Sequence, residues 1–263
     1  MYIRVLMENT AGEYSLACEH GLSLYIMTGG KRILFDAGQT ASFADNAARL
    51  GVDLASVDVC ILSHGHYDHS GGLQRFLEIN DHAPVYMHRR AAEPHYNGTE
   101  KYIGIDPHLL QSGRIVLIDS DWAIDESIQL CTCSGCQACH PDSARGMTVR
   151  TADGYIPDTF AHEQYLVVQE HDRRIVVSGC SHRGVLNIAD WLSPDVLIGG
   201  FHFMKLDPAG SDGAFLEEAA SSLLSRSCTY YTGHCTGEAA YAFLKKRMGD
   251  RLHALRSGYA YVL

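Results

Sequence analysis

Residues 63–72 read Ser-His-Gly-His-Tyr-Asp-His-Ser-Gly-Gly and hold four potential metal-ligating side chains within six positions. An apolar run at 57–62 precedes this stretch and glycines end it, a pattern that predicts a buried strand, a tight turn and the start of a helix. Because side-chain direction repeats every second residue in an extended chain, the first two histidines are expected to point the same way. Imidazole and carboxylate groups are good ligands for Zn²⁺ and similar ions. The predicted ligands are His64, His66, Asp68 and His69.

The alternative for this stretch is a polar surface loop that happens to be rich in histidine. Four ligands in one strand–turn–helix setting favour the metal-binding interpretation. Asp68 and His69 then lie on the bend after the first two histidines and can face a second ion. Asp68 is also the group that we expect to orient a metal-bound hydroxide or accept its proton.

The composition indicates an acidic globular protein. The chain has 263 residues, 46% of them hydrophobic, and a net charge of −10. No extended basic stripe runs along the chain, so nucleic acid is not expected as a partner. No apolar run approaches the roughly 20 residues of a membrane span, and the N-terminal stretch lacks the pattern of a signal peptide. We therefore expect a cytoplasmic protein that acts on a small molecule; the sequence says nothing about its oligomeric state.

The periodicity predicts alternating groups of strands and helices, and hence one layered α/β or α+β domain over residues 1–263. The predicted strands are residues 2–6, 22–27, 32–35, 57–62, 84–87, 114–118, 165–169, 174–178, 195–198, 228–232 and 259–262. The predicted helices are residues 42–50, 73–79, 185–191, 215–225 and 238–248, with Thr236 as the expected N-cap of the last. Residues 89–160 lack a periodic pattern, which indicates an irregular loop region over the mouth of the site.

Further motifs accompany the histidine-rich turn. Residues 33–38 read Ile-Leu-Phe-Asp-Ala-Gly, and with His-x-His-x-Asp-His at 64–69 they resemble the signature of the metallo-β-lactamase superfamily. Four more segments resemble one subgroup, described as dihydropterin–ribofuranosyl-aminobenzene-phosphate synthase-like. These segments are residues 19–23, 179–184, 199–202 and 233–237. The resemblance runs from about residue 3 to the C-terminus and implies an α/β fold, a four-layer αββα sandwich with metal ions at one edge of its two sheets.

The resemblance also implies metal ligands elsewhere in the chain. The last ligand of the superfamily is a histidine at a glycine turn after a strand, which is the setting of His234; the alternative for His234 is a structural role. Where relatives have an Asp that bridges two ions, this chain has Cys180. We favour Cys180 as a ligand over His182, although Cys180 could be a small buried residue and His182 the ligand. In the favoured case His182 faces substrate, and the planar guanidinium group of Arg183 binds phosphate oxygens.

Several polar residues at strand ends have two interpretations each. His162 lies near the position of the superfamily's middle histidine and is predicted as a ligand, with Glu163 as the competing or supporting group. Asp36 either accepts a hydrogen bond from a ligand histidine or only shapes a strand-end turn. His202 is either a site residue or a hydrogen-bonded polar residue at a strand end. His20 is a similar but weaker candidate.

A cluster of four cysteines is a possible second metal site. Its members are Cys131, Cys133, Cys136 and Cys139. Four thiols within nine residues could hold a tetrahedral ion or an iron–sulfur cluster; the alternative is free or redox-paired thiols. The chain has nine cysteines, an odd number, and no recognisable export signal, so a disulfide framework is not expected.

Two hypotheses from different functional classes follow. The first is an enzyme with one or two Zn²⁺ ions, or with Mn²⁺ or Fe, that acts on an anionic substrate attracted by Arg183 or Lys205. The superfamily resemblance implies hydrolysis of an ester, thioester, lactam or phosphodiester. The subgroup resemblance implies instead that a dihydropterin methyl diphosphate joins an arylamine ribofuranosyl phosphate with loss of pyrophosphate. The second hypothesis is a non-catalytic metal or redox sensor that uses the Cys131–Cys139 loop.

Overall fold

The computed structural model describes residues 1–12 and 15–263, whose strands form two large sheets and one small sheet. The strands are β1 (Tyr2–Met7), β2 (Ser23–Thr28), β3 (Lys31–Phe35), β4 (Val59–Ile61), β5 (Val85–His88), β6 (His95–Asn97), β7 (Lys101–Tyr102), β8 (Ile115–Ile118), β9 (Trp122–Ala123), β10 (Ile128–Cys131), β11 (Met147–Thr151), β12 (Gly154–Pro157), β13 (Tyr165–Glu170), β14 (Arg173–Val177), β15 (Val196–Ile198), β16 (Thr229–Thr232), β17 (Leu252–Ala254) and β18 (Ala260–Val262). The α-helices are α1 (Ser42–Arg49), α2 (Tyr67–Ser70), α3 (Leu73–Ile79), α4 (Val185–Leu192), α5 (Gly213–Leu224) and α6 (Glu238–Met248).

Two large sheets face each other at the centre of the fold. The first has the order β18-β1-β2-β3-β4-β5-β8 and the second the order β17-β16-β15-β14-β13-β10-β9. Buried side chains from both sheets pack between them, among them Ile26 and Phe35 from the first and Leu166 and Val177 from the second. Helices α1 and α3 cover the outer face of the first sheet, and α4, α5 and α6 cover that of the second. The predicted four-layer αββα sandwich is confirmed.

The covered faces explain why the strands read as apolar runs in the sequence. In β14, Ile175 and Val177 point to the space between the sheets, whereas Val176 points to the helices. A strand that is buried on both faces has no polar side, so its sequence is continuously hydrophobic. This is the signal that located most strands of the two large sheets.

The site lies where parallel strands end. Strands β3, β4 and β5 run parallel in the first sheet, and β14, β15 and β16 run parallel in the second. The histidine-rich turn follows β4, while residues 179–184, 199–202 and 233–237 follow β14, β15 and β16 in turn. Loops at the carboxyl ends of parallel strands gather at one edge of a sheet, which is where α/β proteins bind ligands.

Residues 89–160 are more regular than the sequence predicts. Strands β12, β11, β6 and β7, in this order, form a four-stranded sheet, and β10 and β9 extend the second large sheet. The prediction of an irregular loop region was therefore wrong for this part of the chain. Strands β6, β7, β11 and β12 are only two to five residues long and largely exposed, so they carry no apolar alternation that a sequence pattern could detect.

The predicted helices correspond to α1, α3, α4, α5 and α6, with one correction at a helix start. Thr236 lies in a 3₁₀ turn, and α6 begins at Glu238 without a side-chain cap. The Thr236 hydroxyl instead accepts a hydrogen bond from the Phe201 backbone N–H at 2.9 Å. In the described part of the chain, no helix has both the length and the apolar character needed to cross a bilayer.

Candidate metal centre

Three histidines form the first set of converging ligand atoms. His64 and His66 come from the turn after β4, and His182 comes from the loop after β14. The Nε2 atom of His182 lies 3.3 Å from Nε2 of His64 and 3.2 Å from Nδ1 of His66. Nitrogens bound tetrahedrally to zinc at about 2.0–2.1 Å are about 3.3 Å apart. The two distances from His182 therefore fit a zinc ion.

Four side chains form the second set. They are Asp68, His69, Cys180 and His234, whose ligand atoms all lie within 4.8 Å of one another. The Nε2 atom of His69 is 3.2 Å from Nε2 of His234 and 3.2 Å from Sγ of Cys180. The Oδ2 atom of Asp68 is 3.4 Å from Nε2 of His234. Imidazole, carboxylate and thiolate together make a donor set that suits Zn²⁺.

Cys180 and His182 both face the centre, so the sequence-level choice between them does not arise. Cys180 also converges with His182 and His202, and it therefore lies between the two sets. Ser181 separates the two residues and has a φ of 57°. This left-handed residue turns the backbone so that both neighbours can point inward. Both residues also line the open cleft, so a substrate-facing role for His182 stays a prediction.

Burial determines the protonation state of the three histidines in the first set. The rings of His64, His66 and His182 are almost fully buried, and this burial lowers their pKa well below the ordinary value. They are neutral at pH 7, which is the form that ligates a metal. In the second set burial raises the pKa of the Asp68 carboxyl, but the neighbouring His69, His20 and His234 outweigh this effect and hold it well below its usual range.

Outer hydrogen bonds orient three of the ligand histidines. The Nδ1 atom of His69 donates to Asp36 Oδ2 at 2.6 Å, and Asp36 also accepts from the Ser63 backbone N–H at 2.7 Å. The Oγ atom of Ser63 lies 2.8 Å from Nδ1 of His64. Nδ1 of His234 donates to Asn9 Oδ1 at 2.9 Å. Such contacts fix the ring plane and the tautomer of a metal-bound histidine.

Comparison with known proteins agrees with this geometry. Residues 17–144 match the sequence profile of the metallo-beta-lactamase superfamily. The chain is 31% identical to an uncharacterized protein of Methanocaldococcus jannaschii, covering 93% of this chain and 94% of that protein. It is 30% identical to 7,8-dihydropterin-6-methyl-4-(beta-D-ribofuranosyl)-aminobenzene-5'-phosphate synthase of the same organism, covering 96% and 94%. The chain belongs to the metallo-beta-lactamase superfamily.

A solved structure supports the same assignment. Tm1679, a metal-dependent hydrolase of the beta-lactamase superfamily, superposes with a TM-score of 0.85 and 27% identity over 100% of this chain and 99% of that one. Together with the synthase relative, it confirms the resemblance to the superfamily and to its synthase-like subgroup. The superfamily's fold implies that divalent metal ions bind at the edge where the two ligand sets lie.

His162 has a different position from the one predicted for a ligand. Its Nδ1 atom accepts a hydrogen bond from the Gly65 backbone N–H at 3.0 Å, and its Nε2 atom lies 3.3 Å from Asp158 Oδ2. Burial lowers its pKa to about 4, so the ring is neutral. Both ring nitrogens have protein partners, although a ring nitrogen also lies within 4.8 Å of ligand atoms of His66, His95 and Asp158, so a ligand role for His162 stays a prediction.

Glu163 and Arg183 also act on the protein rather than on a ligand. The carboxylate of Glu163 accepts from the backbone N–H groups of His182 at 2.6 Å and Arg183 at 3.2 Å, so it holds the loop after β14. The guanidinium of Arg183 donates to the carbonyl oxygens of Thr132 at 2.9 Å and Cys133 at 3.2 Å. Two of its five N–H donors are used inside the fold and Arg183 does not line the cleft, so phosphate binding by Arg183 stays a prediction that this geometry does not favour.

The cysteine cluster does not converge. Cys131 and Cys133 are buried, whereas Cys136 and Cys139 are exposed. Within residues 1–12 and 15–263, the four sulfurs form no group of ligand atoms close enough to share an ion. The second metal site that the sequence suggested is therefore not formed in this structure. Burial raises the pKa of Cys131 to about 11, which leaves this thiol protonated and unreactive.

A cleft of about 650 Å³, measured with its open mouth, leads to the metal centre. His202 lines it, with its ring centroid 4.4 Å from that of His182, so this residue belongs to the site. His20 and Lys205, which the sequence offered as candidates, also line it. Sequence patterns missed the rest of the outer wall, most of which lies on or near the small sheet. These additional lining residues are Tyr67, Asn97, Lys101, Ile103, Met147, Met204 and Cys235.

Left-handed backbone conformations cluster at this centre. Asp36, Ser181, His202 and His234 have φ values of 59°, 57°, 56° and 48°. Each costs of the order of 1–3 kcal/mol for a non-glycine residue and persists only when its surroundings enforce it. Such strain concentrates at functional sites, and here it aims side chains from four separate loops at one point.

Proposed function

We propose that this protein is a metal-dependent enzyme that acts on a small phosphorylated substrate related to pterins. In this proposal each of the two ligand sets holds one zinc ion. The observation that carries the proposal is the convergence of these two sets at the floor of one open cleft. The synthase relative, similar over almost the whole chain, supports the substrate class. The hydrolase similarity to Tm1679 supports a hydrolytic alternative at the same centre.

The residues fit zinc better than the harder divalent ions. His64, His66 and His182 offer three converging nitrogens, and His182 Nε2 lies at tetrahedral spacing from the other two. The second set includes the sulfur of Cys180, a soft donor that suits Zn²⁺ or Fe and does not suit Mn²⁺. A bound zinc ion supplies Lewis acidity toward a phosphoryl oxygen and lowers the pKa of bound water to about 7.

Asp68 has the position and charge for acid–base work beside the ligands. It lines the cleft, and its low pKa keeps it a carboxylate at neutral pH. His20, whose Nε2 lies 3.3 Å from Asp68 Oδ2, contacts the same carboxylate from the solvent side. We propose that Asp68 orients the attacking group and accepts its proton, while His20 stabilises the carboxylate.

The cleft wall suits an anionic substrate with a planar ring. Lys101 and Lys205 are exposed cations at its mouth and can hold phosphate oxygens. Ile103, Met147 and Met204 supply an apolar surface against which a heteroaromatic ring can pack. This wall, rather than Arg183, is the part of the chain that would select the substrate.

The sensor alternative has no comparable support. It depended on the Cys131–Cys139 loop, and the four thiols of that loop do not share a site in the described residues.

One assay separates the two enzymatic reactions. Zinc-loaded protein is given bis(4-nitrophenyl) phosphate in one series, and dihydropterin methyl diphosphate with the arylamine ribofuranosyl phosphate in another. Pyrophosphate release that requires both pterin and arylamine supports condensation, and nitrophenolate release alone supports hydrolysis. Turnover in neither series, with two zinc ions bound, would contradict the proposal.

A pair of histidine variants controls the assay. His66→Ala removes one nitrogen of the first set, and we expect it to abolish turnover. His82→Ala removes an exposed histidine of the surface, whose ring contacts only Asp81. This second variant should keep the activity of the parent protein.

A further inference from the structure

Two ligand histidines of the first set lack the orienting partner that the others have. Nε2 of His66 and Nδ1 of His182 are buried and have no hydrogen-bond partner among the residues that the structure describes. A metal-bound histidine normally donates its second N–H to an acceptor that fixes the ring. Something other than a direct hydrogen bond must therefore hold these two rings in place.

A buried carboxylate lies behind this set. Asp158 directly follows β12, and its side chain is only 2% exposed. Its Oδ2 atom accepts from Nδ1 of His95 at 2.7 Å and from Nε2 of His162 at 3.3 Å. Its Oδ1 atom accepts from the Phe160 backbone N–H at 2.7 Å. One carboxylate thus accepts three hydrogen bonds, one from strand β6 and two from the loop between β12 and β13.

The first connection runs from Asp158 through His162 to the metal-binding turn. Because Asp158 accepts a hydrogen bond from the Nε2–H group of His162, the Nδ1 atom of that neutral ring is left as an acceptor. It accepts the N–H of Gly65, the residue between His64 and His66. One ligand atom each of His66, His95, Asp158 and His162 also lie within 4.8 Å of one another, so His66 is packed directly against this group.

The second connection runs through Phe160 to His182. Phe160 has a φ of 53°, and its N–H bond to Asp158 holds this left-handed conformation. Its ring stacks on the ring of His182 with centroids 4.7 Å apart and planes 12° apart. Stacking restricts the plane of an imidazole that has no hydrogen bond at its second nitrogen.

We propose that Asp158 is a positioning residue that sets the metal affinity of the first ligand set without contacting the ion. It fixes the 64–66 turn through His162 and the ring of His182 through Phe160. The inference rests on the metal centre of the proposed function, but not on its substrate. It also links the small sheet, whose residues line the cleft, to the first ligand set at the floor of the cleft.

The test is a Co²⁺ titration of metal-free protein, with Asp158→Asn compared with the parent chain. The asparagine keeps an oxygen for the Phe160 N–H but turns an N–H₂ group toward the two imidazole donors. Cobalt held by the second set would contact Cys180 and give a sulfur-to-metal charge-transfer absorption, whereas cobalt held only by the three histidines of the first set would not. We expect the ion without this absorption to bind about 10- to 100-fold more weakly, and the other to bind as before.

Two further variants protect this result against a folding defect. Phe160→Leu interrupts only the second connection and should weaken the same ion by a smaller factor. Asp119→Asn changes an aspartate of similar size on the surface, paired with Arg89, and should change neither affinity.

Three outcomes would overturn the inference. Unchanged binding of both ions in Asp158→Asn and Phe160→Leu would show that Asp158 does not position the set. A third equivalent of cobalt, lost with Asp158→Asn, would make Asp158 a ligand instead. If the parent chain bound no cobalt, the proposed metal centre and this inference would both be wrong, whereas two bound ions without turnover would count only against the proposed substrate.

Discussion

The sulfur of Cys180 lies 3.2 Å from Nε2 of His69, in the region between the two ligand sets. The metallo-beta-lactamase resemblance places a bridging carboxylate at this point of the chain. A thiol there is deprotonated by the ion that it binds and adds a soft, negatively charged donor to the centre. This substitution makes the chemistry of the second set different from that of a purely nitrogen and oxygen site.

Cys180→Ser should therefore change the metal preference of the centre. We expect the cobalt form to lose its sulfur-to-metal absorption, and at least one zinc ion to bind more than about 10-fold more weakly. Cys228→Ser is the matched control, since Cys228 is equally buried but is not part of either ligand set. A Cys180→Ser protein with the absorption of the parent chain would show that the sulfur does not ligate.

Asp36→Asn should weaken the second ion selectively. The Asp36 carboxylate accepts from Nδ1 of the His69 ring, which presents Nε2 to the second set. An asparagine amide holds that ring less strongly, and the expected loss of affinity is about 10- to 100-fold. Competition with a chelator measures it, and Asp45→Asn on α1 provides the control. Equal weakening of both ions would contradict this selectivity.

Lys101→Met should raise the KM for an anionic substrate and leave kcat nearly unchanged, because the lysine lies at the mouth of the cleft and not at its floor. We expect a KM roughly 3- to 10-fold higher with bis(4-nitrophenyl) phosphate, an effect that shrinks as salt is added. Lys246→Met on α6 serves as the control. A KM effect that is independent of salt would argue against a charge contact.

Gly65→Ala should destabilise the protein even without metal. A Cβ atom at Gly65 would lie 2.3 Å from the Ala91 carbonyl oxygen and 2.8 Å from its Cα, so the turn after β4 would have to move. We expect the free energy of unfolding to fall by about 1–3 kcal/mol in urea denaturation of the metal-free chain. Gly113→Ala, where a Cβ meets nothing within 4 Å, should change it far less.

The sequence predicted the fold well where the chain is buried on both sides. Strands such as β4 and β14 and helices such as α4 carry long apolar patterns, because the sandwich covers them from two directions. The small sheet was missed for the opposite reason. Its strand β7, Lys101–Tyr102, is two residues long and fully exposed, so no hydrophobic signal reports it.

The roles of single residues were hard to predict from the sequence where the residues that they contact lie far away along the chain. The contacts of Arg183 and His162 could not be predicted, because their partners are about 50 and 97 positions distant, at Cys133 and Gly65. Asp158 was missed altogether, since its partner His95 is 63 positions away. No local pattern distinguishes a polar side chain that faces a ligand from one that faces a carbonyl group of another loop.

The sequence by itself determined the chemistry of the centre and the sandwich that carries it, because ligand types, their spacing in residues 63–72 and buried apolar strands are local properties. Only the tertiary structure decided which candidate ligands lie close enough together to share an ion. Cys180 and His182 both reach the centre because the left-handed turn at Ser181 and the packing of two sheets bring separate loops together. Such convergence is a property of long-range contacts, which the order of residues along the chain does not display.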